Sequence, residues 1–300
     1  TGRFSVAIYI ALTGAEVESW ADWERTVDAA DEERIITDSE GASRITIGPV
    51  DPKDGSLYLK SQGGVFVIIR EALNDWHTQR PRAMSFRKVA GPPSRALTFD
   101  DRVGIAARYM MFGAKTIAQF EQLYASIPLN DFGTAMMRGH ATKPSMITQG
   151  RYHLADDEAL IVNLLPQAAE YMSFSVTSPW LISRNAHSKA GSRNAHQSHQ
   201  NADGTYTYVV TRRDPGVANW MDTDGLAEGC MAMRWEGMHA PVADPSDAIK
   251  SVKLVKLNAL RAELPADFPS VSPAERSAEL ADRRLDYGSR CGMDCRFAGD

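Results

Sequence analysis

Apolar residues come in short runs along most of this chain, separated by turn-forming residues. Residues 4–12 (FSVAIYIAL) open the pattern. Val6, Ile8 and Ile10 are β-branched and the run has strand length, which predicts a β-strand. A secretory signal fits less well, because only Arg3 precedes the run and Thr13-Gly14 offers no small-residue cleavage pattern. Further strands are predicted at residues 65–71 (VFVIIRE), through residues 150–165, over the alternating Tyr206, Tyr208 and Val210 after an Asp203-Gly204 turn, and at residues 230–236 (CMAMRWE).

The runs repeat. Phe4-Ser5-Val6, Asp51-Pro52, Gly63-Gly64 and the run ending at Arg70 recur in order as Phe174-Ser175-Val176, Asp214-Pro215, Gly229 and the run ending at Arg234. Short matches in one order and spacing predict two related β units, over residues 4–71 and 174–236, with the same strand order. Packed face to face as a sandwich, such units would bury their continuous apolar runs.

Between the copies the period changes to that of a helix. Val103, Ala107, Met110, Ala114, Ile117, Phe120 and Tyr124 recur at three- and four-residue steps, which predicts one apolar face. Thr98 caps the start, Asp100 and Asp101 suit the first-turn amides, and Pro128 ends the helix. Residues 128–149 show no period and read as a long loop. Ser272-Pro273-Ala274-Glu275 is a capping box that opens a charged helix to about Leu285, peripheral or an oligomer contact. The expected organisation is a first β unit at 1–90, helix and loop at 91–149, a second β unit at 150–258 and a helical tail at 259–300. The fold class is mostly β, two antiparallel units in a sandwich or jelly-roll-like architecture, with one inserted long helix and a C-terminal helix.

Composition narrows the function classes. In 300 residues, 33 Lys and Arg against 38 Asp and Glu leave a net charge of -5 with both signs interspersed, which argues against a nucleic-acid footprint. No apolar run approaches the length of a membrane span. Of three cysteines, Cys230 sits in an apolar run, while Cys291 and Cys295 lie in a Gly-containing tail without a second pair to complete a zinc site. The odd count favours a reducing compartment.

Gly150-Arg151-Tyr152, Asp157-Glu158-Ala159-Leu160, Tyr171, Trp180, Asp203-Gly204, then Asp214-Pro215-Gly216-Val217-Ala218-Asn219-Trp220-Met221-Asp222-Thr223 with Gly229 and Arg234, resemble the bacterial family known as domain of unknown function 1214. The likeness spans residues 150–236. It implies a jelly-roll-like β architecture in a cytoplasmic protein, and that longer members carry sequence ahead of Thr1. It supplies no reaction. After Trp180 this chain reads Leu181-Ile182-Ser183-Arg184-Asn185-Ala186-His187, where the family is more aromatic and acidic.

Three sets of residues are candidates for chemistry. Trp180 and Trp220 would wall an apolar pocket for a small molecule, with Asn219 as a polar handle; alternatively Asn219 and Trp220 only set a turn and fill the core. Ser-Arg-Asn-Ala-His occurs twice, at 183–187 and 192–196. If this loop folds over a pocket, Arg184 and Arg193 would grip a carboxylate or phosphate, and Asn185 is a further ligand-binding candidate. His187, His196 and His199 would hold a metal only if the loop converges, since their spacing matches no zinc motif and the stretch has the composition of a solvated loop. Asp156-Asp157-Glu158 is either an acid–base cluster or a charged hairpin turn, and Arg70 and Arg234 suit structural ion pairs. There is no phosphate loop or nucleophile elbow, and the reading assigns no cofactor. A homo-oligomer stays open.

Overall fold

The apolar runs pair into sheets in a computed structural model that describes residues 3–10, 26–61, 65–91, 96–138, 143–239, 242 and 244–291. Gly63-Gly64 and Cys295 lie outside these residues. The described chain is mostly β, with a long and a C-terminal helix. It divides into two compact units. The larger comprises Thr1–Arg3, Ala72–Arg80 and Leu123–Asp300, and the smaller Phe4–Glu71 and Pro81–Gln122.

The larger unit is built on two sheets. One has the order β11 (Ser192–Asn194), β10 (Ala169–Thr177), β14 (Glu228–Met238), β8 (Ser145–His153), β6 (Asp131–Phe132), with β7 (Met136–Arg138) also on β8. The other has the order β13 (Trp220–Asp222), β12 (Tyr206–Thr211), β9 (Glu158–Leu164), β15 (Ile249–Lys256). Alternate side chains explain why they stack: Met172, Phe174 and Val176 of β10 and Met231, Met233 and Trp235 of β14 meet Leu160, Val162 and Leu164 of β9 and Tyr208 and Val210 of β12 in one core. The Phe174 and Tyr208 rings meet edge to face at 5.1 Å, and the Trp235 indole donates to Leu165 O at 2.8 Å. Strand β9 reads as a continuous apolar run because its other face is also covered, Ala159 and Ile161 packing with Val255, with Leu260 of the short helix α2 (Leu260–Glu263), and with Leu264 and Phe268. Residues 128–149, expected as a loop, carry β6, β7 and the start of β8, whose two- and three-residue pairings are too short to leave a period in the sequence.

In the smaller unit β1 (Arg3–Ile10) lies between β2 (Thr26–Asp31) and β5 (Val65–Ala72), while β3 (Ile45–Gly48) and β4 (Leu57–Lys60) form a parallel pair. The order β2-β1-β5 corresponds strand for strand to β11-β10-β14, and the parallel pair β3–β4 to the parallel pair β12–β13. The match reaches single hydrogen bonds. Ser61 N–H donates to Gly48 O at 2.8 Å past the end of β4, as Thr223 N–H donates to Thr211 O at 3.3 Å past the end of β13.

Helix α1 (Phe99–Ser126) starts where expected, Thr98 Oγ1 accepting from Asp101 N–H while the Asp101 carboxylate accepts from Thr98 N–H. Its predicted apolar face is not buried. Val103, Met110 and Ile117 are exposed, and Tyr124 is its buried residue. No helix among the described residues is long and apolar enough to cross a membrane.

One glycine holds strands β8, β10 and β14 in register. A Cβ on Gly229 would lie 2.1 Å from Thr177 O and 2.5 Å from the Tyr152 hydroxyl oxygen. The carbonyl belongs to backbone and cannot rotate away. Gly229→Ala is expected to lose about 3 kcal/mol of stability in urea unfolding, at the upper end of overpacking costs. An unchanged midpoint would mean that β14 shifts freely against β10.

Candidate functional site

At one end of the larger unit the strand ends leave a shallow cleft, open to solvent, that encloses about 10 Å³. It is lined by Tyr152 of β8, Val176 and Thr177 of β10, Ser178 and Arg184 of the following loop, Gly191, Asp222 at the end of β13, and Thr223 and Leu226 of the next turn. Of the four hydroxyl groups here, Ser178 accepts from Ile182 N–H at 3.3 Å and the protons of the other three are spoken for. Tyr152 donates to Thr177 O at 3.3 Å, Thr177 to Ser178 O at 3.1 Å, and Thr223 to Leu226 O at 2.9 Å. What these groups have left to offer a visitor is lone pairs.

The charged groups form a balanced set. Asp224 accepts from Arg184 Nε at 3.0 Å and Asn185 Nδ2 at 3.1 Å, and Lys189 Nζ stands 3.3 Å from Asp224 and 3.7 Å from Asp222. Asp224 is held in place by its own backbone, whose N–H donates to Asp222 at 2.7 Å. Burial raises the pKa of Asp222 above its ordinary value, and neither that N–H nor Lys189 fully offsets it. Burial also pulls on Asp224, but its bonds to Arg184 and Lys189 prevail and lower its pKa. Burial likewise raises the Tyr152 phenol, so it stays protonated.

The other predicted residues go elsewhere. Trp180 is 61% exposed in a turn closed by Ser178 N–H to Ile182 O at 3.0 Å, while Trp220 is 6% exposed with the Arg276 guanidinium 5.2 Å from its ring. They do not share a pocket wall. Asn219 is not a handle for a ligand, because its side chain is fully used: Nδ2 donates to His199 O and Thr207 O at 2.7 and 2.8 Å, and Oδ1 accepts from His199 N–H at 2.7 Å. Its backbone takes the left-handed conformation, φ 49°, which asparagine tolerates.

The histidines do not converge. His196 stands 3.9 Å from Asp75, and the His199 ring meets Phe268 edge to face at 5.7 Å. Among the described residues no three His, Cys, Asp or Glu side chains are grouped to hold a metal ion. The stretch is also not a solvated loop throughout, since Ser192–Asn194 form β11 and Asn194 caps a short 3-10 turn at Ala195–Gln197. The two Ser-Arg-Asn-Ala-His copies therefore differ in fate. Arg184 and Asn185 serve the cleft, whereas Arg193 is buried and bonds Trp220 O at 3.0 Å and Glu279, and Asn194 bonds Leu73 O and Asn74 O. Asp156 and Asp157 stand in the turn that carries the chain from β8 in one sheet to β9 in the other, not in a hairpin, and they pair with Arg212 and Lys256.

Sequence reasoning missed the role of helix α3 (Pro273–Cys291), expected as peripheral or as an oligomer contact. Its arginines at seven-residue spacing turn inward. Arg276 bonds Asp214 at 2.9 Å, Val217 O and Glu279; Arg283 bonds Ala186 O and Ser192 O at 3.0 Å each; Arg290 lies 4.4 Å from the Trp76 ring. Burial brings Arg283 down to about 10, and it remains charged at neutral pH. The spacing of Arg276, Arg283 and Arg290 was the available signal.

No protein-family model matches the chain, and no curated protein does. Among solved structures, an uncharacterised protein from Burkholderia cenocepacia is similar over 86% of this chain and 71% of its own, with a TM-score of 0.70 at 19% identity. The VPA0106 protein from Vibrio parahaemolyticus is matched over 85% and 83%, with a TM-score of 0.42 at 11% identity. The first likeness shows that the two chains share a similar fold, which in this chain is mostly β with several antiparallel sheets.

Proposed function

We propose that this chain binds a small, neutral, hydroxyl-bearing molecule in the cleft at Asp222 and Arg184, as a member of the domain of unknown function 1214 family. The observation that carries the reading is Asp222. It is a carboxylate kept buried at a cleft against the cost of desolvation, while its cation is shared with a second aspartate. Groups that burden the fold without completing a core are characteristic of binding sites. The cleft offers lone pairs from Tyr152, Thr177 and Thr223 and the Asp222 carboxylate to donors, and the guanidinium N–H groups of Arg184 not bonded to Asp224 to acceptors. A polyol hydroxyl both donates and accepts, and its neutrality leaves the two-plus-two charge balance intact.

The family likeness adds support for a shared architecture, including the jelly-roll-like description and a cytoplasmic setting. The strand-for-strand match between β1–β5 and β10–β14 supports an internal duplication. Neither names a reaction, and the reading is one of binding.

Asp222→Asn tests it. The raised pKa means that the native state binds the Asp222 proton more tightly than the unfolded chain does, so this group withdraws stability as pH rises above about 4. Relative to wild type, the asparagine variant is expected to gain stability as pH is raised from 4 to 7, and to lose most of its affinity for polyols in a titration followed by NMR. A variant that binds the panel as wild type does, or a wild type that binds none of it, would remove the cleft from consideration.

A further inference from the structure

We propose that Arg283 of helix α3 is the positioning residue of the cleft: it pins the loop that carries Arg184, Asn185 and Lys189 to the start of β11, and so sets these groups against Asp222 and Asp224. The proposal rests on the reading of the cleft as a binding site. The pin is one guanidinium fork. Its Nε donates to Ala186 O at 3.0 Å, its Nη1 to Ser192 O at 3.0 Å and its Nη2 to the Ser192 hydroxyl oxygen at 2.9 Å. Ala186 stands in the first Ser-Arg-Asn-Ala-His copy and Ser192 opens the second, so the fork joins the two copies.

The loop needs the fork because its two halves are anchored unequally. The returning half is tied to both sheets: Val176 N–H donates to Gly191 O at 2.8 Å, Asp222 N–H donates to Ala190 O at 3.0 Å, and Ala190 is buried. The outgoing half closes on itself, with Ser188 and Lys189 N–H both donating to Asn185 O at 2.9 Å. Among the described residues, the hydrogen bond from Arg283 to Ala186 O is the one that joins the backbone of residues 183–188 to another element. Yet this half carries the groups at the cleft. Arg184 Nε and Asn185 Nδ2 reach Asp224 at 3.0 and 3.1 Å, and Lys189 Nζ, at the turn, stands 3.3 Å from Asp224 and 3.7 Å from Asp222.

The chemistry of Arg283 suits this role better than that of a helix anchor. Arg276, which holds the same helix nearer its start, bonds the carboxylates of Asp214 and Glu279. The hydrogen bonds of Arg283 go to two carbonyls and a hydroxyl, all neutral. Its charge is buried, with Arg193 and Arg290 close enough to oppose it, and such a group costs stability that an aliphatic side chain would not. What a guanidinium alone supplies is several N–H donors in one rigid plane, able to reach carbonyls six residues apart at once. The buried Trp76 ring, held by its own indole bond to Leu73 O at 3.0 Å, lies 5.0 Å from the guanidinium and limits its rotation.

Arg283→Lys tests the proposal in the intact chain, because lysine keeps the charge and cannot span both acceptors. In wild type Arg184 and Lys189 hold the Asp224 pKa low against burial, with Asn185 donating to it and Asp222 as the neighbouring carboxylate. The variant is expected to raise the Asp224 midpoint in a carboxyl NMR titration, as the cations move away. It should also speed hydrogen exchange at the Ser188 and Lys189 amides about tenfold or more and lose most of the affinity for polyols. Limited proteolysis near Ser272 should stay at the wild-type rate, since Arg276 still holds the helix. Unchanged Asp224 titration and unchanged exchange would overturn the proposal, and so would rapid cleavage near Ser272, which would make Arg283 an anchor of the helix. Wild type gives a check without a substitution: in native-state exchange the Ser188 and Lys189 amides should open together with helix α3, and their opening while α3 stays closed would overturn the link. The titration and exchange use no ligand, so a wild type that binds no polyol while both move as expected removes the binding reading and keeps the pin.

Discussion

Asn219→Ala is expected to destabilise the chain by about 3 kcal/mol in urea unfolding, although the residue lies in a loop entering a strand only three residues long. Three hydrogen bonds end on one amide, and they tie His199 and Thr207 to the start of β13. The Thr207 carbonyl is buried, so losing its partner costs about 1–3 kcal/mol, while water replaces part of the loss at exposed His199. The φ of 49° adds about 1 kcal/mol for alanine. Asn219→Gly separates the two contributions, because it relaxes the backbone and still removes the amide. It should recover about 1 kcal/mol of the loss. If glycine and alanine cost the same, the left-handed conformation is not a source of strain.

Arg276→Ala is expected to cost about 4 kcal/mol and to release helix α3 before the sandwich unfolds. Arg276 is 5% exposed, and its removal leaves Asp214, Glu279 and Val217 O without their shared cation and uncovers the Trp220 ring. Breaking one side of a buried ion pair costs more than the pair contributes, since the remaining charge stays desolvated. Tryptophan fluorescence should show an early transition, and limited proteolysis should cut near Ser272 in the variant but not in wild type. A single transition at the wild-type midpoint would mean that the helix docks without this arginine.

The strands were readable from short apolar runs and from turns at Asp51-Pro52 and Asp214-Pro215, which link β3 to β4 and β12 to β13, but the runs do not say which strand lies beside which. The long helix was readable from its cap and period. That Met110 would stay exposed was not, because periodicity marks a face without saying what covers it. The site was harder. Arg184 was picked from a repeat that also contains Arg193, and nothing local separates a copy beside a cleft from one buried under a helix. Asp222 and Lys189 were passed over, since their pairing depends on the approach of β13 to the chain before β11, with Asp222 N–H donating to Ala190 O at 3.0 Å. Trp180 and Trp220 were joined by residue type alone, and type does not tell a ring in a solvent-facing turn from one beneath a guanidinium.

The ionic seam under helix α3 joins residues far apart in the chain, Arg276 to Asp214 across 62 residues and Glu279 to Arg193 across 86. A ribosome adding roughly 5–20 residues per second delivers Glu279 roughly 4–17 s after Arg193. Throughout that interval Arg193 must remain hydrated or pair with something temporary. The carboxylate that neutralises Arg193 is made after every strand of the sandwich, since β15 ends at Lys256, and the last assembly step is the capture of one charged surface by another. Such a step should slow as ionic strength rises, unlike the collapse that precedes it.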